Sequence, residues 1–335
     1  FFMTKIVEVK GKEILDSRGN PTVYALVTLE NGGLGLSSVP SGASTGTREA
    51  VELRDNQKRY GGKGVLTAVG YVNKELRDAV IGLEVEDQAQ IDKVMIELDG
   101  TNNKSRLGAN SILAVSMAVL RASAFGLGEE VFKRIAQLSD NPSPIELPVP
   151  LLNILNGGTH AAGSTDFQEF MVAPIGVDTF SEALRAGSEI YHKLGETLDK
   201  EGRSTNVGFE GGFAPQGLTN RQALGFVTRA IEDSGYIPGE QVFIALDPAA
   251  SEFYNNPSER PETGRYNLRL EGQRFTSDRM INEYKSLQED FPIYSIEDGL
   301  SEDDWEGWSR FTELMGDQIQ LVGDDLFVTQ EKFLH

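Results

Sequence analysis

The sequence contains no cysteine among its 335 residues. Disulfide bonds, thiolate catalysis and cysteine-ligated zinc or iron–sulfur sites are therefore excluded, and a reducing cytoplasm is compatible with this composition. Basic residues are also scarce, since 31 Lys and Arg stand against 51 Asp and Glu and give a formal net charge of -20. Such a surface repels the phosphates of nucleic acids, so we expect no direct nucleic-acid binding.

Long apolar runs and an N-terminal targeting pattern are lacking as well. No stretch of about 18 apolar residues is visible, so we expect no membrane span. Phe1 and Phe2 precede Met3, and no basic-then-apolar signal pattern follows them. Hydrophobic residues make up 39% and charged residues 24% of the chain, as in ordinary soluble globular proteins. The length allows two domains, one of them with a large core.

The first part of the chain reads as strands followed by helices. Residues 6–29 have the composition of two strands, and residues 16–21 carry the turn between them. Apolar residues then recur at three- and four-residue spacing in residues 64–80, 88–98 and 109–125. This order predicts a compact α+β domain.

A proline-rich stretch that starts at Asn141 marks the domain boundary, so we expect domains at residues 1–140 and 141–335. Beyond it, apolar runs at residues 151–155, 170–172, 242–246, 293–296 and 319–322 alternate with helical patterns near residues 181–199, 220–234, 277–290 and 303–314. Buried strands that alternate with helices indicate a parallel sheet, either open or closed into a barrel.

Three of these apolar runs end in acid, at Asp247, Glu297 and Asp324. The carboxyl ends of barrel strands converge on one mouth, so these three side chains would meet there. Three neighbouring carboxylates repel one another unless a cation neutralises them, and an all-oxygen ligand set suits Mg2+ before Mn2+ or Ca2+. A single acid at a strand end is more often a cap for the following helix.

Two glycine-rich loops and one histidine add weaker signals. Glu210 lies in the loop at residues 208–212, and residues 41–46 resemble a phosphate-binding loop but lack the lysine of a P-loop. His160 follows the first strand of the second domain and is therefore expected at the mouth. His192, inside a helical pattern, is expected to be structural.

These segments together resemble the enolase family closely. The matching motifs follow one another in family order from near Lys5 to near Gln330: residues 16–22, 40–46, 108–113, 156–158, 168–171, 210–215, 249–254, 295–298 and 323–326.

The resemblance implies an α/β fold, with a small N-terminal α+β domain followed by an enolase-type (β/α)8 TIM-like barrel. The barrel would begin irregularly with two strands and two helices, and about its first five strands would be present. The implied reaction is the reversible dehydration of 2-phosphoglycerate to phosphoenolpyruvate, a step of glycolysis and gluconeogenesis. The resemblance also implies a homodimer or an assembly of dimers, and a cytoplasmic protein that in some settings also occurs at the cell surface.

The resemblance also assigns roles to individual residues. Asp247, Glu297 and Asp324 correspond to the ligands of a tightly bound Mg2+. The other implied site residues are Ser44 as a ligand of a second Mg2+, Glu210 as the general acid, Glu169 beside it, and His160 and Gln168 as substrate contacts.

This sequence departs from the family in two places. Family members usually have Asp where this chain has Phe209, and we expect Phe209 to reduce turnover without abolishing it. The sequence also ends at His335, before the lysine that acts as the family's base, so we expect these residues alone neither to fold well nor to catalyse. A non-catalytic enolase-derived binding module and a related lyase or racemase are the alternatives, although the loops at residues 41–46 and 210–212 argue against the latter.

Overall fold

The computed structural model of the protein describes residues 4–42, 45–139, 145–255 and 265–334. The contacts within the chain define two compact units. The first unit comprises residues 1–42 and 49–146, and the second comprises residues 43–48 and 147–335. The boundary predicted at residues 140 and 141 lies outside the described residues.

A three-stranded antiparallel sheet forms one layer of the first unit, with the order β1 (Ile6–Leu15), β2 (Pro21–Leu29) and β3 (Leu34–Val39). Alternate residues of β2, from Val23 to Leu29, are buried, as expected for a strand with one face on a core. The core on this face also contains residues of α1 (Leu66–Tyr71), a π-helical turn (Val72–Leu76), α2 (Arg77–Val80), α3 (Gln88–Asp99) and α4 (Ala109–Leu127). Helix α5 (Val131–Leu138) contacts α4.

Helix α4 lies across β2 and β3 at very short range. Its Ala114 carbonyl accepts a hydrogen bond from the Ser37 hydroxyl at 2.5 Å, and a Cβ atom at Gly35 would overlap the backbone of Ala118 and Ala122. By length and composition alone this helix is apolar enough to cross a membrane, contrary to the sequence-based expectation that no such stretch exists. However, 56% of the stretch is buried inside the protein, as in the central helix of a core.

The second unit contains a five-stranded sheet and a small hairpin. Its strands are β4 (Leu152–Asn156), β5 (Glu169–Ala173), β6 (Phe243–Asp247), β7 (Tyr266–Leu268), β8 (Gln273–Phe275), β9 (Ile293–Glu297) and β10 (Gln320–Val322), and its helices are α6 (Phe180–Lys200), α7 (Asn220–Asp233), α8 (Ser277–Asp290), α9 (Trp305–Met315) and α10 (Asp324–Phe327). The helix positions follow from apolar periodicity and from N-caps, such as the Thr219–Gln222 capping box of α7.

The strand order in the large sheet is β10-β9-β6-β5-β4. Strands β6, β9 and β10 are mutually parallel, as predicted, but β5 runs antiparallel to both β4 and β6. The prediction of a purely parallel sheet is therefore wrong at β5. The physical reason is that only a loop joins β4 to β5, whereas a parallel pair needs a crossover connection. The chain order of two strands and then two helices is the irregular barrel start that the family resemblance implied.

One face of the sheet packs against helices α6 to α9 in a continuous apolar core. Fully buried side chains such as Phe170, Leu194 and Phe311 fill it. The fold is α/β, with an N-terminal α+β unit followed by a barrel-type unit. Because the backbone pairing fixes where each strand ends, it also fixes which side chains meet at the sheet edge.

Candidate active site

Polar side chains form a row across the end of the sheet. The pairing of β4, β5 and β6 sets Asn156 opposite Glu169 and Glu169 opposite Asp247. On the far side, Glu297 is paired with Val322 of β10, next to the residue that leads into Asp324. Directly paired residues project from the same face, so Glu169 and Asp247 are cross-strand neighbours.

A second group, His160, Glu169 and Glu210, lies close to this row. The Nδ1 atom of His160 is 3.7 Å from Glu169 Oε1 and 3.5 Å from Glu210 Oε2. His160 is buried, Glu169 is largely buried, and Glu210 is partly open to solvent. His160 lies in the 3-10 turn Gly158–His160 directly after β4, at the end of the strand where the sequence predicted it.

The pKa of Glu169 is shifted strongly upward. Burial, a hydrogen bond to Glu210 and the charge of Asp247 raise the pKa of Glu169 to about 9. A carboxyl with so high a pKa keeps its proton at pH 7, and the hydrogen bond to Glu210 favours this protonated form. The two acids thus form a hydrogen-bonded pair of the kind that moves protons in catalysis.

The loop that carries Glu210 is attached to strand β4. Phe213 pairs with β4 by donating its N–H to the Ile154 carbonyl at 2.9 Å and by accepting the Asn156 N–H at 2.9 Å. The side-chain oxygen of Asn156 accepts the Gly212 N–H at 2.9 Å, and a Cβ atom at Gly212 would collide with it. The loop therefore needs glycine at this position in order to approach the strand.

Two further contacts hold this loop. The Tyr191 hydroxyl of α6 donates to the Gly211 carbonyl at 2.9 Å, and its ring stacks on Phe213 with centroids 4.5 Å apart. The side-chain amide of Asn153 donates to Glu210 Oε2 at 2.8 Å. In the sequence, Asn153 is distinguished only as a polar residue within an apolar strand.

The strand-end acids perturb one another strongly. Burial and then the charge of Glu297 raise the pKa of Asp247 to about 8. Burial and then the charge of Asp324 raise the pKa of Glu297 above its ordinary range. Burial and, next among the raising effects, the charge of Asp325 raise the pKa of Asp298 to about 7. These carboxylates are therefore costly to ionise without a nearby cation.

Asp298 has a separate structural task. Its carboxylate accepts the N–H groups of Asp324 and Asp325 at 3.1 and 2.9 Å, which ties the end of β9 to the start of α10. Its backbone has a φ of +42°, in the left-handed region that few residues other than Gly, Asn and Asp adopt. The sequence reasoning assigned no role to Asp298, although the adjacent pair Glu297-Asp298 was visible.

The donor chemistry of Asp247, Glu297 and Asp324 fits a hard divalent cation. All three offer carboxylate oxygens at adjacent strand ends, and a cation would relieve the repulsion that raises the pKa values of Asp247 and Glu297. Within the described residues, however, the acidic or histidine group whose ligand atoms all lie within 4.8 Å of one another is His160, Glu169 and Glu210. The metal-binding role of the strand-end set therefore stays a prediction.

The remaining predicted site residues are placed as follows. Gln168 is buried beside the acid pair, and its side-chain oxygen accepts the Thr159 hydroxyl at 2.7 Å. Ser44 lies outside the described residues. Shortly after it, the Thr47 N–H donates to Glu302 at 3.0 Å and Arg48 pairs with Asp303.

Phe209 projects into solvent at the mouth, with 71% of its surface exposed. The edge of its ring meets the ring of His160, with centroids 6.5 Å apart and planes at 88°. Single exposed apolar side chains are common on protein surfaces, so the exposure of Phe209 alone assigns it no role.

Comparison with family models adds independent information. A model described as "Enolase, N-terminal domain" matches residues 6–135. A second model, described as "Enolase, C-terminal TIM barrel domain", matches residues 144–335. The two matches account for nearly the whole chain, and the second one contains the acid pair and the strand-end carboxylates.

Proposed function

We propose that this chain, which belongs to the enolase family, catalyses the reversible dehydration of 2-phosphoglycerate to phosphoenolpyruvate. The observation that carries the proposal is the hydrogen-bonded pair of Glu169 and Glu210, beside His160 and next to a row of strand-end carboxylates. A dehydration needs this combination, because it removes a weakly acidic proton and expels a poor leaving group.

Glu210 is the residue that protonates the leaving group. During the reaction a proton leaves C2 of the substrate, the C3–oxygen bond breaks, and a double bond forms between C2 and C3. The proton from C2 passes to a base, and the departing hydroxyl takes a proton from Glu210 and leaves as water, so atoms and charge balance. In the reverse direction Glu210 accepts a proton from the attacking water. None of the described residues is assigned as the base that takes the C2 proton.

Glu169 supplies the proton that Glu210 transfers to the leaving group. Because the raised pKa of Glu169 keeps its carboxyl protonated at pH 7, the pair holds one proton that passes to Glu210 when the leaving group needs it. His160 lies within 4 Å of both carboxyls and is positioned to contact a substrate there. Gln168, buried beside the pair, is proposed as a second substrate contact.

Asp247, Glu297 and Asp324 would hold Mg2+, the ion that the family generally uses. Bound there, the ion stabilises the negative charge that develops on the substrate carboxylate. The alternative of a non-catalytic binding module is not favoured, because the perturbed acid pair is a feature of catalytic sites rather than of binding surfaces. We also propose that the protein acts as a homodimer or as an assembly of dimers.

The test is turnover of 2-phosphoglycerate by the purified full-length protein, followed by the ultraviolet absorbance of phosphoenolpyruvate. We expect Mg2+-dependent turnover that EDTA abolishes, and a fall in kcat of about 100-fold or more in Glu210→Gln. The matched control is Glu289→Gln, which changes an exposed glutamate on α8 and should leave kcat unchanged. Absence of turnover in the wild-type protein with Mg2+ would refute the proposed function.

A further inference from the structure

Strand β4 contains a bulge that changes which of its side chains face the active site. Asn153 is paired with Met171 and Asn156 with Glu169, but the register shifts between Asn153 and Leu155. Ile154 and Leu155 are consecutive, yet both belong to the apolar core. The extra residue therefore brings Asn153 and Asn156, three positions apart, to the same face as Glu169.

These two asparagines contact different parts of the loop that carries Glu210. Asn156 accepts a backbone N–H, from Gly212, and so fixes the path of the loop. Asn153 instead donates to the carboxylate of Glu210 itself, at 2.8 Å from Oε2. The contact is charge-assisted and therefore among the stronger hydrogen bonds.

Packing alone does not explain an amide at position 153. Within the described residues, the Asn153 side-chain oxygen is buried without a hydrogen-bond partner. An unsatisfied buried carbonyl destabilises the fold, and an apolar side chain would avoid that cost. The amide orientation that leaves this oxygen buried without a partner is the same orientation that places the side-chain nitrogen against Glu210.

We infer that Asn153 is a positioning residue for the dehydration step, which holds the Glu210 carboxyl by its Oε2 atom. An amide N–H can only donate, so Oε2 is kept as an acceptor and the proton to be transferred is directed to the other oxygen, Oε1. Asn153 thereby selects which oxygen of Glu210 delivers the proton and fixes its direction. The kinetic consequence of this inference rests on the proposed function.

The hydrogen bond itself is tested without turnover. In the full-length protein labelled with 15N-asparagine, the side-chain amide signal of Asn153 should shift upfield in Glu210→Gln, which removes the negative acceptor. The matched substitution Glu289→Gln should leave that signal in place. An Asn153 signal that does not respond to Glu210→Gln would overturn the inference, whatever the protein's activity.

The consequence for catalysis is tested with Asn153→Leu, which keeps the branching of the side chain and removes the donor. We expect kcat to fall about 100-fold while KM stays within about threefold, since a misdirected proton donor affects the transition state rather than substrate binding. Exchange of the C2 hydrogen of 2-phosphoglycerate with deuterated water, observed by NMR, should persist, because exchange does not require the leaving group to depart. Asn282→Leu, on the exposed side of α8, is the control and should behave as wild type.

A second variant tests whether the effect of Asn153→Leu comes from misfolding. Asn153→Asp has the same shape but replaces the donor by an acceptor, and it should lose dehydration at least as severely while retaining exchange. If dehydration and exchange decline together in folded variants, or if only KM changes, the positioning role is wrong. If the wild-type protein shows neither reaction but the amide signal of Asn153 responds to Glu210→Gln, the proposed function fails and the contact stands.

Discussion

Replacing Asp247 by asparagine should stabilise the metal-free protein, in a manner that depends on pH. The pKa of Asp247 is raised from 3.8 to about 8, first by burial and then by Glu297. The folded state therefore keeps a proton that the unfolded state releases. The favourable contribution of this proton is complete below pH 3.8 and is lost as the pH rises towards 8.

The size of the effect follows from that interval. Each pH unit between the two pKa values costs the wild-type protein about 1.36 kcal/mol of unfolding free energy. From 3.8 to 7 the loss is about 4 kcal/mol, and from 3.8 to 5 it is about 1–2 kcal/mol. Asparagine has nearly the same shape as protonated aspartic acid and nothing to ionise, so Asp247→Asn should gain these amounts over wild type.

Urea unfolding in EDTA at pH 7 and at pH 5, monitored by circular dichroism, measures both values. Asp199→Asn, which removes an exposed carboxylate from α6, is the control and should shift stability by less than about 0.5 kcal/mol at either pH. Added Mg2+ should stabilise the wild type, by about 2.7 kcal/mol at 100 times its Kd, and stabilise Asp247→Asn less. A variant that is less stable than wild type in EDTA at pH 7, or a gain that is equal at both pH values, would refute the reasoning.

Three further predictions concern single side chains. Phe209→Asp, which restores the residue usual in the family, should raise kcat for 2-phosphoglycerate, and an unchanged kcat would show that Phe209 does not limit turnover. Gly35→Ala should destabilise the protein by about 1–3 kcal/mol in urea unfolding, because the new Cβ overlaps the backbone of α4; Gly70→Ala, with open space around it, should not destabilise. Leu194→Ala should cost about 2–5 kcal/mol because this side chain is fully buried, whereas Leu184→Ala on the exposed side of the same helix should cost far less. Equal losses for the two leucines would contradict the assigned core.

Much of the fold was predictable because apolar periodicity reports burial directly. The pattern at residues 109–125 predicted a helix, and α4 spans Ala109–Leu127. Periodicity does not encode strand direction, so the antiparallel β5 was outside its reach. Helix α5 and the β7–β8 hairpin were also missed, because they are short.

The candidate site was predictable residue by residue but not as a set of contacts. Glu169, Glu210 and His160 were each named from sequence, and the structure brings them together. Their perturbed chemistry depends on burial, which sequence spacing does not give. The role of Asn153 depends on a bulge and on a partner 57 residues away, and neither leaves a local signal.

The cross-strand pairing of Glu169 with Asp247 has an evolutionary consequence. One residue belongs to the proposed proton-transfer pair and the other to the proposed metal set, yet the charge of Asp247 helps to set the pKa of Glu169. Substitutions at the two positions should therefore be epistatic, with a coupling energy that a double-mutant cycle would measure. A lineage that changes Asp247 should therefore also change Glu169, so we expect the two positions to covary among relatives.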